Sequence, residues 1–328
     1  MGDVRSLAAI GVVVALLAAT VPAAAVADEK FPARALTVVV PYDAGGSLDL
    51  HVRAIAPALE RLLGQPIGVV NRPGATGAVG FQVVGRGRAD GYTIVGAPIP
   101  IVTIPVVDKL FERPPAFTTD LFAPLALLSA DPLVAVVQAS SPWKTLADLV
   151  ADARKRPEAV KYPSPGPYGS VHLATEILAQ KAGVKLTHVP FTGVAPALSA
   201  LLGGHVEIFM APPVVAVAQI RSGKLRALGV TGSTRHPELP EVPTLEELGY
   251  PNEVTNWYGL FAPRATPPAA LAAWRDALDR ASKDPQFVQA MAKIKTPIDY
   301  RNHVEFQKYL DVQTGLLTSA IQKIGKVN

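Results

Sequence analysis

The sequence predicts an α/β protein with largely parallel sheets, built as two compact lobes. The first observation is alternation, because short β-branched apolar runs alternate with longer Ala/Leu-rich amphipathic stretches along nearly the whole chain. The second is length, since about 300 residues remain beyond an N-terminal export signal and that number approaches the limit of one core. The third is the clustering of many of the 31 Pro and 26 Gly residues just after the apolar runs. In an open α/β sheet, that edge is where ligands bind.

Residues 1–27 have the features of a secretory signal. Arg5 precedes an apolar run from Leu7 to Ala19, and the small residues Ala25-Val26-Ala27 stand before Asp28. This pattern predicts cleavage near Ala27/Asp28 and release into the periplasm. The alternative is an uncleaved anchor, which the pattern disfavours because the run is shorter than the roughly 20 residues of a spanning helix. The chain has no Cys, which excludes a lipoprotein anchor, disulfides and thiolate sites.

The charge balance argues against a nucleic-acid partner. The formal net charge is +4, without a dense run of Lys and Arg, and aromatic residues make up 6% of the chain. A phosphate-tracking surface and a base-stacking platform are therefore not expected. A mildly basic surface suits the attraction of small anions instead.

The alternation can be divided into elements. Nine runs are predicted as strands, and they are 36–40, 68–70, 92–96, 133–137, 160–162, 185–189, 206–209, 226–230 and 258–262. Seven stretches are predicted as helices, and they are 48–63, 146–155, 171–182, 195–202, 268–282, 285–293 and 304–324. Four of the connections are candidate ligand loops, although Gly and Pro also mark ordinary turns.

The first loop, residues 41–49, joins a strand to a helix. Its paired glycines let the backbone turn sharply with its N–H groups free, and Ser47 is a candidate N-cap. The partial positive charge of the helix start suits a carboxylate. The Lys-Ser/Thr ending of a Walker loop is missing. The ligand-binding candidates here are Tyr42, Asp43, Gly45, Gly46, Ser47 and Asp49.

The second loop, residues 71–80, again follows a strand and opens a helix with small residues. Its glycines are three apart, which is not the G-x-G-x-x-G spacing of a dinucleotide site. Small residues let a ligand approach the backbone, so Ala75 and Thr76 are binding candidates. Arg72 either pairs with an anion or is a solvated or structural residue.

The third and fourth loops offer hydroxyls, aromatic rings and an imidazole. In the third loop, residues 164–172, the alternatives are a packing role for His172 and a helix cap for Ser170. In the fourth loop, residues 190–196, an aromatic wall stands beside a hydroxyl and a free glycine backbone. The binding candidates of the two loops are Ser164, Tyr168, Ser170, His172, Phe191, Thr192 and Gly193.

Signatures of catalysis are weak. The chain has no H-E-x-x-H, no G-x-S-x-G and no EF-hand loop, and its six His are scattered. Ser141 and Lys144 match S-x-x-K without the companion motifs, and Thr145 with Asp148 predicts a helix cap there instead. A secreted hydrolase centred on Ser170 and His172 is the remaining enzymatic alternative, although residues two apart on a helix do not face each other. We therefore expect no catalytic residue, no metal and no cofactor.

Seven motifs occur in order along the chain. They are Val40-Pro41-Tyr42 with Gly45-Gly46-Ser47 and Asp49, Asn71-Arg72-Pro73-Gly74-Ala75, Asp90-Gly91-Tyr92-Thr93, Gly169-Ser170 with His172-Leu173, Val189-Pro190-Phe191 with Gly193, Pro243-Thr244 with Glu247-Gly249, and Trp257-Tyr258-Gly259-Leu260 with Ala262-Pro263. As a set they resemble the periplasmic substrate-binding components of tripartite tricarboxylate transporters, the Bug proteins, over essentially the whole mature chain.

The resemblance implies a type II periplasmic-binding fold, with two α/β lobes joined by two crossing strands and closing like a flytrap. Lobe 1 would be residues 28–130 plus 253–328, and lobe 2 would be residues 131–252. In that family, backbone N–H groups, hydroxyls and ordered waters of the loops hold the ligand carboxylate. The implied partners are a small organic carboxylate and membrane transporter subunits, or a sensor protein in a signalling role. A monomer is the usual state.

The sequence departs from the family pattern at four positions. Tyr42 stands where Phe is usual, Phe191 stands where Tyr is common, and Glu207 stands where Asp is usual. Asp43 stands where a small apolar residue is common. Beside a carboxylate site it would repel a second carboxylate or pair with a ligand ammonium. The hypothesis is that the protein prefers a monocarboxylate, an amino acid or a ligand with an uncharged polar tail to citrate. The alternative is that Asp43 faces solvent and has no effect on the ligand.

Overall fold

The computed structural model describes residues 31–191 and 193–327. The predicted signal and Thr192 of the fourth loop lie outside them. The strands are β1 Leu36–Val40, β2 Ile67–Asn71, β3 Thr93–Ala97, β4 Phe122–Pro132, β5 Val134–Gln138, β6 Lys161–Ser164, β7 Thr187–Pro190, β8 Ile208–Ala211, β9 Leu225–Val230, β10 Thr255–Pro263 and β11 Arg301–Asn302. The helices are α1 Ser47–Leu63, α2 Ala78–Gly85, α3 Pro100–Leu110, α4 Leu146–Lys155, α5 Ser170–Ala182, α6 Val194–Leu202, α7 Pro213–Arg221, α8 Pro268–Ala281, α9 Pro285–Lys293 and α10 His303–Ile324. No helix in this part of the chain is long and apolar enough to cross a membrane.

The strands form three sheets. The large sheet has the order β11-β4-β10-β3-β1-β2, so it takes its strands from both ends of the chain. The three-stranded sheet β8-β5-β9 and the two-stranded sheet β6-β7 come from the middle of the chain. The chain leaves the large sheet between β4 and β5 and returns to it between β9 and β10.

The expectation of largely parallel sheets is wrong. Parallel pairing joins β1 to β2 and β3, and β6 to β7. All the other pairings are antiparallel, including the long pair β4–β10 and the whole three-stranded sheet. The reason is that β4 and β10 carry the chain out of the large sheet and back into it, so they run side by side in opposite directions.

All nine predicted strands and seven predicted helices exist, with ends that differ by a few residues. Strands β4 and β11 and the helices α3 and α7 were not predicted, and α2 was expected only as a helix that the second loop opens. Helix α3 begins at Pro100 and contains Pro105, and α7 opens with Pro213 and a run of Val. Pro and β-branched residues are poor helix formers, so tertiary packing decides these segments against their local propensity.

Helix α10 covers one face of the β4–β10 pair. Trp257 of β10 and Phe306 of α10 are fully buried, with ring centroids 5.7 Å apart. Two residues before Trp257, the hydroxyl of Thr255 in β10 contacts the hydroxyl of Tyr309 in α10. Odd-numbered residues at the start of β10 therefore face α10, and Asn256 and Tyr258 face the opposite side of the sheet.

Two histidines are buried beside the candidate loops. His51 is 1% exposed, with Nδ1 2.6 Å from the Ser47 carbonyl oxygen and Nε2 3.0 Å from the Ser129 hydroxyl. Burial lowers the pKa of His51 to about 4, against an opposing hydrogen bond to Ser47. Burial, and then the neighbouring His188, lower the pKa of His172 to about 3. Both rings are thus neutral at pH 7.

We expect Gly259→Ala to destabilise the fold. A Cβ at position 259 would overlap the Phe306 ring and lie 3.2 Å from the Ala126 carbonyl oxygen. Overpacking of this kind costs about 1–3 kcal/mol. The matched control is Gly315→Ala on the exposed face of α10, where nothing lies within 4 Å of the new methyl group, and where Ala stabilises a helix by about 0.5–1 kcal/mol. Urea unfolding measures the free energy of unfolding of both variants. Equal changes in the two variants would contradict the overlap with Phe306 as the cause.

We expect stability to fall between pH 6.5 and about 4. The unfolded chain binds a proton at each of His51 and His172 near pH 6.5, whereas the folded chain binds it only near pH 3–4. The free energy of unfolding therefore decreases by about 1.4 kcal/mol per pH unit for each histidine across that window, and the decrease ends below the folded pKa. His51→Gln should reduce the difference in unfolding free energy between pH 7 and pH 5 by about 1–2 kcal/mol. His205→Gln, at an exposed position, should leave it unchanged.

Candidate functional site

One face of the β4–β10 pair carries a row of polar side chains. In the antiparallel register, Asn256 lies opposite Asp131 and Tyr258 lies opposite Ser129. Opposed residues of neighbouring strands point to the same face, and their Cα atoms are about 4.5–5.5 Å apart. These four residues, here called the polar row, lie on the face opposite α10. None of the four was among the predicted site residues.

The polar row connects the starts of two helices. The Asn256 side-chain amide donates to the Tyr258 hydroxyl at 2.7 Å, and the Ser170 hydroxyl donates to Asn256 Oδ1 at 3.4 Å. Burial raises the pKa of Tyr258, against the opposing effects of the Ser47 and Asn256 side chains. Ser47 is the first residue of α1 and Ser170 is the first residue of α5. Ser47 and Ser170 are distant in sequence, but they thus lie beside the same two side chains, the neutral phenol of Tyr258 and the amide of Asn256.

The predicted caps at Ser47 and Ser170 are wrong by one residue. Gly46 and Gly169 are the N-cap residues of α1 and α5, and among the described residues neither cap supplies a side-chain hydrogen bond. Both helices are long, at 17 and 13 residues. Their first N–H groups have no intrahelical acceptor, and they can donate to an anion. Glycine at the cap leaves these N–H groups without a competing acceptor from the cap side chain.

Asp49 holds the first loop in shape. It is 1% exposed, and Oδ2 accepts hydrogen bonds from the Gly45 N–H and from Arg53 Nε, each at 2.8 Å. Oδ1 accepts from Asn71 Nδ2 at 3.0 Å. Burial alone would raise the pKa of Asp49, but these donors, with Arg53 first, lower it. Because both oxygens are engaged within the protein, Asp49 positions Gly45 and its neighbours as a support of the loop.

The first and second loops touch directly. The Tyr42 hydroxyl donates to the Thr76 carbonyl oxygen at 2.9 Å. Burial raises the pKa of Tyr42, and the neighbouring Tyr258 adds to this effect. Ala75 and Thr76 adopt positive φ values of 46° and 56°, and both are exposed. Asp43 is also exposed, and its carboxylate has no hydrogen bond with the described residues. The alternative for Asp43, a side chain in solvent, is what this geometry favours.

In the third loop, most candidate side chains bond within the protein. The Tyr168 N–H donates to His172 Nδ1 at 3.0 Å, and His172 is 1% exposed with its ring against Tyr162 and His188. The contacts match the packing alternative for His172. Ser164 is also fully buried, and its hydroxyl donates to the Gly166 carbonyl oxygen at 2.8 Å.

The fourth loop is described on either side of Thr192. Phe191 is half-buried, and its N–H donates to the Ser164 carbonyl oxygen at 2.8 Å, which ties the fourth loop to the third. Gly193 is the N-cap of α6, in an extended conformation with φ 176°. Its carbonyl oxygen accepts a hydrogen bond from the Ala197 N–H at 3.3 Å.

A cavity of about 590 Å³ opens between the second and third loops. Ala75 and Thr76 line it on one side, and Tyr168 and Gly169 line it on the other. Apolar side chains close it, from Ile104 and Val107 of α3 and from Phe111 directly after this helix. Its volume lies within the roughly 300–1,000 Å³ of small-molecule sites, and its mixed lining suits a ligand with an apolar body.

The hydrolase alternative finds no support in the geometry. The Ser170 hydroxyl bonds to Asn256, and Nδ1 of His172 is taken by the Tyr168 N–H. Two other serines contact histidines, Ser129 at His51 and Ser164 at His188. Both of those serines are fully buried, so neither has the exposed hydroxyl of a nucleophile in a substrate cleft. Within residues 31–191 and 193–327, no three His, Asp or Glu side chains are grouped as a metal site.

Comparisons with known proteins agree with this geometry. A family model described as the tripartite tricarboxylate transporter family receptor matches residues 51–326. Protein BugT of Bordetella pertussis is 31% identical over 325 residues, which cover 95% of this chain and 97% of BugT.

Solved structures show the same fold. A TctC solute binding protein from Polaromonas, without ligand, has a TM-score of 0.79 and 30% identity, covering 89% of this chain and 99% of that protein. MatC from Rhodopseudomonas palustris, with bound malate, has a TM-score of 0.71 and 29% identity, covering 88% and 99%. The predicted α/β fold of type II periplasmic binding proteins is thereby confirmed. The sequence match, the shared fold and the loops at the helix starts together show that the chain belongs to the tripartite tricarboxylate transporter receptor family, which includes the Bug proteins.

Proposed function

We propose that the protein is an extracytoplasmic solute-binding receptor that captures a small organic carboxylate for uptake by a tripartite tricarboxylate-type transporter. The observation that carries the proposal is the meeting of the α1 and α5 starts at Asn256 and Tyr258. Each helix start offers free N–H groups and a serine hydroxyl. Together these groups can surround a carboxylate with hydrogen-bond donors, and no arginine is needed. The cavity of about 590 Å³ accommodates the rest of the ligand.

The similarity to MatC supports the ligand class. That protein was solved with malate, a small hydroxy acid with two carboxylates. Since the two chains share 29% identity and nearly full coverage, the class of ligand transfers more safely than its identity. The role is binding and delivery, without catalysis, cofactor or metal.

The periplasm is the proposed compartment. Its support is the composition of residues 1–27, with cleavage near Ala27/Asp28, and the family to which the chain belongs. The mature protein would act as a monomer that delivers its ligand to the membrane subunits of the transporter.

We further propose that residues 28–130 plus 253–328 and residues 131–252 form two lobes that close on the ligand. The division of the sheets supports these limits. The large sheet uses strands up to Pro132 and from Thr255 onward, and the two smaller sheets use the strands between them. Since the α1 start and the α5 start fall in different lobes, a ligand bound to both stabilises the closed form.

The function predicts stabilisation by carboxylates in a thermal-shift screen of the mature protein. At about 100 times the Kd, a ligand stabilises by about 2.7 kcal/mol, which raises the melting temperature by about 4 °C for a chain of this size. The screen covers aliphatic mono-, di- and tricarboxylates, aromatic acids and amino acids, with the corresponding amides as neutral controls. Shifts by acids and not by their amides are expected. A flat response to every acid, together with Ser170-dependent turnover of an ester, would establish a hydrolase instead.

Loss of the Tyr258 hydroxyl should weaken binding while the fold is retained. Tyr258→Phe removes the group that links the two helix starts and keeps the ring in place. One hydrogen bond lost at a buried site corresponds to roughly a tenfold rise in Kd. Tyr300→Phe is the matched control, because Tyr300 lines a separate cavity with Arg301 and Lys308. Calorimetric titration with the strongest acid of the screen measures both variants, and equal affinities would contradict the placement of the site.

A further inference from the structure

Asp131 is a buried carboxylate at the centre of the polar row. It is 5% exposed, and it lies directly opposite Asn256 in the β4–β10 register. The Oδ1 atom is enclosed and has no hydrogen-bond partner among the described residues. The His236 Nε2 atom lies 3.4 Å from Asp131 Oδ1, which is longer than the usual range of about 2.7–3.2 Å for an N–H···O hydrogen bond.

His236 supplies Asp131 with at most one weak donor. The imidazole is 2% exposed, and its Nδ1 accepts a hydrogen bond from the Glu238 N–H at 3.1 Å. The proton of a neutral ring is therefore on Nε2, directed toward Asp131 Oδ1. An ionised carboxylate can accept about four hydrogen bonds. Compared with Asp49, which receives three good donors within the protein, Asp131 retains free acceptor capacity beside the site.

A buried acceptor with free capacity is destabilising unless a donor reaches it. Burial raises the pKa of Asp131, against the opposing contact with His236. Asn256, the register partner of Asp131, bonds to Ser170 at the start of α5. A carboxylate bound at that helix start would place its neighbouring substituent close to Asp131.

We propose that Asp131 determines ligand specificity by accepting a hydrogen bond from a hydroxyl or ammonium group carried next to the ligand carboxylate. The inference rests on the proposed function and adds the chemistry of the group beside the carboxylate. It also moves the discriminating negative charge from the exposed Asp43 to Asp131. A second carboxylate at this point is repelled, whereas a hydrogen-bond donor is bound.

Two sets of three acids that share a carbon skeleton test the proposal. Succinate, malate and aspartate carry hydrogen, hydroxyl and ammonium at the carbon next to the carboxylate, and hexanoate, 2-hydroxyhexanoate and norleucine repeat the series without a second carboxylate. The wild-type protein is titrated calorimetrically with all six. In at least one set, the hydroxy or amino acid should bind about tenfold more tightly than the unsubstituted acid, as expected for a charge-assisted hydrogen bond.

The variants separate the two donor chemistries. Asp131→Asn keeps an acceptor oxygen and removes the charge, so it should abolish a preference for ammonium and leave part of a preference for hydroxyl. Asp131→Leu removes every acceptor and should abolish both preferences. Asp43→Asn removes the same charge at an exposed position and should keep the wild-type ranking. The ratio of two affinities in one preparation does not depend on how much of that preparation is folded.

Several outcomes would overturn the inference. They are a wild-type protein without the preference, an unchanged preference in both Asp131 variants, and a preference lost in Asp43→Asn. If other acids shift the melting temperature but none of these six binds, the inference fails and the receptor function stands. If no acid of any class shifts it, both fail.

Discussion

The antiparallel pairing of β4 with β10 is the constraint on which the rest of the structure depends. These two strands carry the chain between the large sheet and the smaller ones, and their register determines which side chains share a face. Trp257 is turned toward α10, and Asn256 and Tyr258 are turned away from it. A shift of one residue would exchange these faces, burying the amide against α10 and exposing the indole to the site. Packing and ligand recognition are thus determined by the same ladder of hydrogen bonds.

Local features of this protein could be predicted from the sequence. Helices with a clear apolar stripe, such as α4 and α9, begin and end where the pattern indicates. The helix cap predicted from Thr145 and Asp148 is confirmed, and the two residues also form both hydrogen bonds of a capping box. Strand β4 could not be predicted, since its residues are Leu- and Ala-rich and include two prolines. Only its partners β10 and β11 select an extended conformation for it.

In the candidate site, too, local features could be predicted and long-range contacts could not. Glycine-rich loops at helix starts are a local signal, so their positions follow from the sequence. The roles of their side chains depend on distant partners. Asp49 became a support of its loop because Asn71 and Arg53 lie beside it, and His172 became a packing residue because His188 shares its pocket. Asp131 was missed because its position in the site depends on the β4–β10 register and on the contact with His236. Neither the register nor the contact can be predicted from the residues that surround Asp131 in the sequence.

The end of α10 is tied to the wall of the cavity. The Tyr168 hydroxyl donates to the Gly325 carbonyl oxygen and accepts from the Val327 N–H, each at 2.8 Å, and Val327 itself lines the cavity. Each residue added to or removed from a helix rotates everything after it by about 100°. An insertion or deletion within α10 would therefore carry Gly325 and Val327 away from Tyr168. Substitutions on the exposed face of α10 leave these contacts in place, whereas its length is constrained by a tyrosine on a loop that lies far from it in the chain.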